Sequence, residues 1–283
     1  MLMQQSERVL THEISKSFAA QKITFADHAH IGVTTSIATE VPVRLTYGGM
    51  PYAVMMATPA DLEDFAYGFS LTEGIIRQAD EIRAVEVESR VGHIELRISL
   101  AAAQFQAHLA RRRQMTGRTA CGICGIEQVE DLTLARAQDG PPQRLALEVV
   151  ERAMRDLDQH QALNHLTHSV HAAAWYDRQG HLVGLREDVG RHNALDKMIG
   201  HLLRQSVASS SGFFLLTSRA SFEMIEKAAL FGARTVVAIS APTSLAIERA
   251  QALGVGLIAV ARHDAVMQFY PLTDHKKELD PHA

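Results

Sequence analysis

Cys121 and Cys124 are the only cysteines among 283 residues, and they stand in the run Thr116-Gly117-Arg118-Thr119-Ala120-Cys121-Gly122-Ile123-Cys124-Gly125. Two thiols separated by two residues can share a metal ion, close as a disulfide, or pass a sulfur atom between them. Gly117, Gly122 and Gly125 weaken any helix through the pair and free the backbone, so a mobile loop is expected. Arg111, Arg112, Arg113 and Arg118 lie just upstream. Folded back toward the sulfurs, they favour thiolate over thiol, and the thiolate is the reactive species. A structural zinc site normally needs a second close ligand pair; His160 with His165, and His165 with His168, have roughly that spacing but belong to another segment. A thioredoxin-type couple needs its cysteines at the start of a helix after a strand, which the flanking glycines oppose. A zinc deaminase needs Pro directly before the first cysteine and His-x-Glu upstream. Position 120 is Ala, and the only such triplet before it, His93-Ile94-Glu95, falls on a predicted strand.

Further polar stretches stand where a ligand would be held. Glu187, Asp188, Arg191 and His192 fall within six residues, ahead of a helical stripe of Leu195, Met198, Ile199, Leu202 and Leu203. Two acids beside two potential cations can hold a purine edge or orient a loop; a solvated turn with Asn193 as helix cap is the plainer reading. His168 and His171 read as structural. Thr217-Ser218-Arg219 and Ser240-Ala241-Pro242-Thr243 each follow an apolar run and precede a helix. Hydroxyls, a guanidinium and free backbone N–H groups at the carboxyl ends of strands favour phosphate or another anion.

The elements that must position these groups divide the chain. Residues 1–35 lack sustained periodicity and are expected to form a loosely ordered arm. Residues 36–115 read as an α+β domain. It opens with a hairpin over 41–57 turned at Gly48-Gly49, followed by a helix capped by Thr58 with Asp61 three residues on and Pro59 in its first turn. Strands at 82–88 and 93–98 and a weak helix from Ala101 complete it. Residues 116–145 carry the cysteines and the connector Asp139-Gly140-Pro141-Pro142. From 146 to 283, a helix on Leu147, Val150, Met154 and Leu157 and a hairpin over 170–185 lead into alternation. Apolar strands at 213–216, 235–239 and 256–261 alternate with helices at 221–231 and 244–253. That predicts an α/β domain on a largely parallel sheet with right-handed crossovers.

With 47% hydrophobic residues the chain can build proper cores, and a net charge of −4 provides no basic field for nucleic acid. No apolar run approaches the ~20 residues that span a bilayer, and the first residues are too polar for a signal peptide. A lone cysteine pair suits a reducing compartment, so a cytoplasmic location with no nucleic-acid or membrane partner is expected.

Gly117 to Gly125, Glu187-Asp188-Val189-Gly190-Arg191-His192-Asn193-Ala194-Leu195-Asp196-Lys197, Ser218-Arg219-Ala220-Ser221-Phe222-Glu223-Met224 and Ser240 to Thr243, in this order, resemble segments of the formate dehydrogenase accessory sulfurtransferases, the FdhD proteins. The resemblance runs from about Glu40 to Tyr270. It implies a cytidine-deaminase-like α/β core without deaminase chemistry, a homodimer, and a role in maturing formate dehydrogenase. A cysteine desulfurase would load a persulfide on Cys121, and the sulfur would go to the molybdenum of bis(molybdopterin guanine dinucleotide) for the formate dehydrogenase apoenzyme. Cys124 would relay that sulfur or release it. The cofactor stretch corresponds to Val260, Ala261, Arg262, His263, Asp264 and Ala265, joined by Ser218, Arg219, Thr243 and His192, with GDP as the expected fragment ligand. His168 stands where the family commonly has Gly, which bears on the local turn. The alternative of a different class is a non-catalytic cofactor-binding chaperone with structural zinc on the cysteine pair, which metal analysis separates from the carrier.

Overall fold

The structure, a computed structural model, describes residues 12–114, 134–140, 142–262 and 264–271; Cys121, Cys124 and His263 lie outside the described residues. Short apolar runs and amphipathic helices build two sheets with helices between them. A four-stranded sheet has the order β4-β3-β6-β5, from β3 (Val41–Tyr47), β4 (Met50–Ala57), β5 (Ile82–Arg90) and β6 (His93–Leu100). A six-stranded sheet has the order β12-β11-β10-β9-β7-β8, from β7 (His171–Asp177), β8 (Leu182–Asp188), β9 (Gly212–Leu216), β10 (Thr235–Ala238), β11 (Gly256–Ala259) and β12 (Met267–Tyr270). The expected largely parallel sheet is in fact mixed. β9, β10 and β11 run parallel, whereas β12 pairs antiparallel with β11, and β7 pairs antiparallel with both β8 and β9. The reason is connectivity: the tight turn after β7 returns the chain as a hairpin, and only strands separated by a crossover helix can be parallel neighbours.

Alternate residues of β9 face opposite cores. Phe214 and Leu216 pack with α5 (Arg191–Arg204), α6 (Phe222–Phe231) and α7 (Ser244–Leu253), while Phe213 and Leu215 pack with α3 (Leu147–Leu157). Burial on both faces accounts for the unbroken apolar strands. α1 (Leu62–Thr72) crosses α5 and joins the two sheets, so Val43, Leu96, Phe65, Leu195, Trp175 and Val236 belong to one core. Gly68 and Gly200 permit the crossing: a Cβ on either would strike the backbone of the facing helix, at Asp196 and Asp64 respectively. Residues 36–115 therefore share their core with the later part of the chain.

Two local expectations change. Among the described residues of the supposed N-terminal arm, β1 (Ser15–Ile23) and β2 (His30–Ala38) form a regular hairpin. Its apolar residues alternate, with Phe18, Ile31 and Ile37 on one exposed face, so it lacks the continuous buried pattern that marks a core strand. Thr58 does not cap α1. The helix begins at Leu62 after Asp61, whose φ is 52°, and no side chain caps it. Thr58 is instead buried, donating its N–H to Asp188 and accepting the N–H of Val189 on its hydroxyl. No helix among the described residues is long and apolar enough to cross a membrane.

Candidate functional site

One edge of the six-stranded sheet collects the groups singled out above. The parallel strands β9, β10 and β11 end there, and because β7 is antiparallel to β9, its first residue His171 arrives at the same edge opposite Asp188, the last of β8. The loops leaving these strands are stitched together. Thr217 N–H bonds to the Ala172 carbonyl at 3.0 Å, Ile239 N–H to Leu216 at 2.9 Å, Thr243 N–H to Ala220 at 3.0 Å, and Val260 N–H to Ser240 at 3.2 Å. Helices α5, α6 and α7 start directly beyond them. Neither N-cap residue, Gly190 of α5 or Ser221 of α6, caps its helix with a side chain. The partial positive charge of these helix starts makes this edge suited to an anion.

The floor is a buried ion pair. Lys197 Nζ meets Asp188 Oδ2 at 2.6 Å with both side chains fully buried, and Nζ also donates to the Thr58 carbonyl at 2.9 Å. Asp188 accepts further bonds from Thr58 N–H, Gly190 N–H and Asn193 Nδ2. Every polar atom is paired, which is the condition under which buried charge is tolerated. Asp188 and Asn193 thus set the turn leading into α5. Glu187 is likewise structural: its carboxylate accepts the N–H groups of Leu163 and Asn164, both at 2.8 Å, and caps α4 (Ala162–Thr167). His168 ends α4 with φ 51°, the left-handed conformation glycine adopts most easily, so the turn survives with a histidine in it.

Above this floor stand Arg191, His192 and Glu223. Arg191 Nε and His192 Nε2 are buried without a hydrogen-bond partner. Burial, followed by the charges of Arg191 and Lys227, pushes His192 down to about 4, so the ring is neutral at physiological pH. His171 is pushed down for the same reasons, burial first and then Arg191. His192 Nε2 lies 3.9 Å from Glu223 Oε2, beyond hydrogen-bond reach, and this brings together the first turns of α5 and α6. Burial alone would raise the Glu223 carboxyl, yet the Ser221 hydroxyl at 2.7 Å, its own backbone N–H, the neighbouring His192 ring and the Arg191 charge hold it below its ordinary range. Lys227 beneath them is committed to Asp196 and Thr72.

The expected binding residues divide by what they already do. Ser218 is buried and donates to the Arg219 carbonyl at 3.2 Å, while Arg219 is exposed and its guanidinium makes no ion pair among the described residues. Thr243 caps α7 by accepting the Ala246 N–H. Arg262 turns back to the carbonyls of Ile239 and Ala261, tying strand ends together, and its N–H bonds to Ala265. Val260 has φ 50°, a costly conformation for a β-branched residue, just where β11 enters the edge; Ala261 beside it is buried and Asp264 exposed. Ser218, Arg219, Thr243, Val260, Ala261 and Arg262 therefore share one edge with His192. Glu223 was not singled out from sequence, and His171 was read there as structural. Glu223 lies inside the segment Ser218 to Met224, and its position two residues after a Ser at the start of a helical stripe was the available signal.

The model of the FdhD/NarQ family matches residues 38–275. Similar curated proteins include a sulfur carrier protein FdhD from Bordetella petrii, 43% identical over 238 residues that span 83% of this chain and 85% of the relative. Another sulfur carrier protein FdhD, from Variovorax paradoxus, is 46% identical over 81% of this chain and 82% of its own length. In fold, the chain resembles the crystal structure of a protein described as a formate dehydrogenase accessory protein from Desulfotalea psychrophila. The TM-score is 0.71 at 23% identity, covering 91% of this chain and 97% of that one.

Proposed function

Because the chain belongs to the FdhD/NarQ family, we propose that it is a sulfur carrier serving formate dehydrogenase. Cys121 accepts sulfur from a cysteine desulfurase: its thiolate attacks the outer sulfur of the desulfurase persulfide, that S–S bond breaks, and the electron pair stays on the desulfurase cysteine. The sulfur then goes to bis(molybdopterin guanine dinucleotide), and Cys124, three positions along, has two routes: its thiolate attacks the outer sulfur of the Cys121 persulfide and carries it on, freeing the Cys121 thiolate, or attacks the inner sulfur, forming a Cys121–Cys124 disulfide and releasing sulfide. The observation that carries the cofactor half of this reading is the sheet edge itself. Two helix starts whose N-cap side chains make no cap bond, the Arg219 guanidinium, without an ion pair among the described residues, and the buried Arg191 Nε, without a partner among them, offer positive potential to a pyrophosphate. GDP is the fragment this edge should hold, and a homodimer would present one such edge per subunit to each half of the two-nucleotide cofactor.

Incubation with a cysteine desulfurase and cysteine, followed by mass spectrometry, tests the carrier. One added sulfur on Cys121 is expected in the wild type and in Cys124→Ala, and none in Cys121→Ala. Added sulfur confined to Cys124, or one zinc per chain lost on mutating either cysteine, would replace this reading.

A further inference from the structure

The chain that leaves the cysteines is gripped at Ala135, eleven positions after Cys124. Among the described residues Ala135 is the first after the cysteines to be tied to the rest of the molecule, and it is buried in the core that also takes Ala229 of α6 and Ala246 and Ala250 of α7. A pair of opposite charges holds it. Glu226 Oε2 accepts the Ala135 N–H at 2.7 Å, Arg249 Nη2 donates to the Ala135 carbonyl at 2.8 Å, and Arg249 Nε donates to Glu226 Oε1. The Glu226 side chain is buried and that of Arg249 mostly so. Joining α6 to α7 needs only the contact between Nε and Oε1. The second carboxylate oxygen and a second guanidinium nitrogen both go to one residue, acceptor to its N–H and donor to its carbonyl, as a neighbouring β-strand would. A grip on backbone is indifferent to the side chain it holds but fixes where the chain runs and in which direction.

We propose that Glu226 and Arg249 are positioning residues for sulfur delivery, rooting the cysteine-bearing segment beside the second turn of α6, one turn from the edge proposed to hold the cofactor. The inference rests on the carrier function proposed above. Eleven residues span at most about 36–40 Å, so the root limits where the thiols can go. The next tie along the chain is Gln138, whose N–H bonds to the Leu253 carbonyl at 3.1 Å and whose Nε2 donates to the Ala233 carbonyl at 2.9 Å. Those partners lie at the far ends of α7 and α6. Without the clamp the tether from Cys124 is fourteen residues long, and its root, seven positions down α6, is about 10 Å further from the edge. For a root-mean-square chain length of about 5–6 Å × √n, this lowers the effective concentration of the carried sulfur at the edge roughly threefold. Loading is untouched, because the desulfurase arrives from solution and needs only access to the thiolate.

Two variants test this. Glu226→Leu/Arg249→Met removes both charges at similar buried volume, a replacement that buried ion pairs commonly tolerate. Arg249→Lys leaves Glu226 its counter-charge but lacks the fork that also reaches the Ala135 carbonyl. Hydrogen exchange at the Ala135 amide reports the clamp. Mass spectrometry follows the loading of Cys121 by a cysteine desulfurase with cysteine, and the activity gained by formate dehydrogenase whose cofactor lacks sulfur follows delivery from preloaded protein. The double variant should exchange faster at Ala135, load at the wild-type rate and deliver about threefold more slowly, with Arg249→Lys between it and the wild type. Unchanged exchange at Ala135, or wild-type delivery despite faster exchange, overturns the assignment. Loading and delivery that fall together also overturn it, since a pair needed only for folding would act on both. Should the double variant not fold, Arg249→Lys decides by the same comparisons. Failure of the wild type to take up sulfur would remove the carrier function beneath the proposal, an outcome distinct from unaltered delivery by a loaded variant.

Discussion

His192 and Glu223 act on each other through their state of charge more than through a bond. Burial and the neighbouring Arg191 and Lys227 hold the ring at about 4, against an ordinary value of 6.5. The sign follows from proton linkage. As pH falls through about 6.5 the unfolded chain takes up a proton on this ring, while the folded chain does not until about 4, so folding stability drops across that window and is greatest above it. His171 and His201 are pushed the same way, burial first in each case. The melting temperature should therefore fall between pH 7 and 4.5, and less steeply in His192→Gln. An identical slope in the variant would show that the ring is protonated in the fold.

At the scale of elements, the crossing of α1 and α5 sets the height of the whole site, because α5 carries Arg191 and His192 at one end and Lys197 in its middle. The two helices approach until backbone meets backbone at Gly68 and Gly200. Gly200→Ala should cost roughly 3 kcal/mol or more, beyond ordinary overpacking, since the added methyl meets the peptide group at Asp64 and not a side chain that can turn away. A lowered urea midpoint with unchanged slope would register this; a loss under 1 kcal/mol would mean the helices slide apart freely. The helix starts of α5, α6 and α7 were each readable as stripes preceded by Gly, Ser or Thr. The start of α1 was not, because Thr58 satisfies its polar groups with Asp188 and Val189, 130 positions or more along the chain.

For the whole molecule, the consequence of one shared core is cooperative unfolding. Trp175, the sole tryptophan, is buried in the six-stranded sheet, while far-ultraviolet circular dichroism reports both sheets. The two signals should give one coincident urea transition, and two midpoints would restore separate domains. What the sequence determined by itself was local or chemical. Strand and helix periods marked nearly every element of both sheets, since 2.0 and 3.6 residues per repeat are written in neighbouring positions. The paired thiols and the motifs at the strand ends pointed to sulfur chemistry and an anion site. Tertiary structure alone decided what depends on partners distant in the chain. It made the large sheet mixed, because β7 found β9 across the intervening α5. It turned Glu187 and Asp188 from candidate ligand contacts into a helix cap and a buried ion pair, because Leu163, Asn164 and Lys197 face them. It also brought Glu223 to 3.9 Å from His192, 31 residues earlier, and made a neutral imidazole out of one that sequence placed only as a candidate cation. Charge state depends on burial and on neighbours in space, and neither is carried by position in the chain.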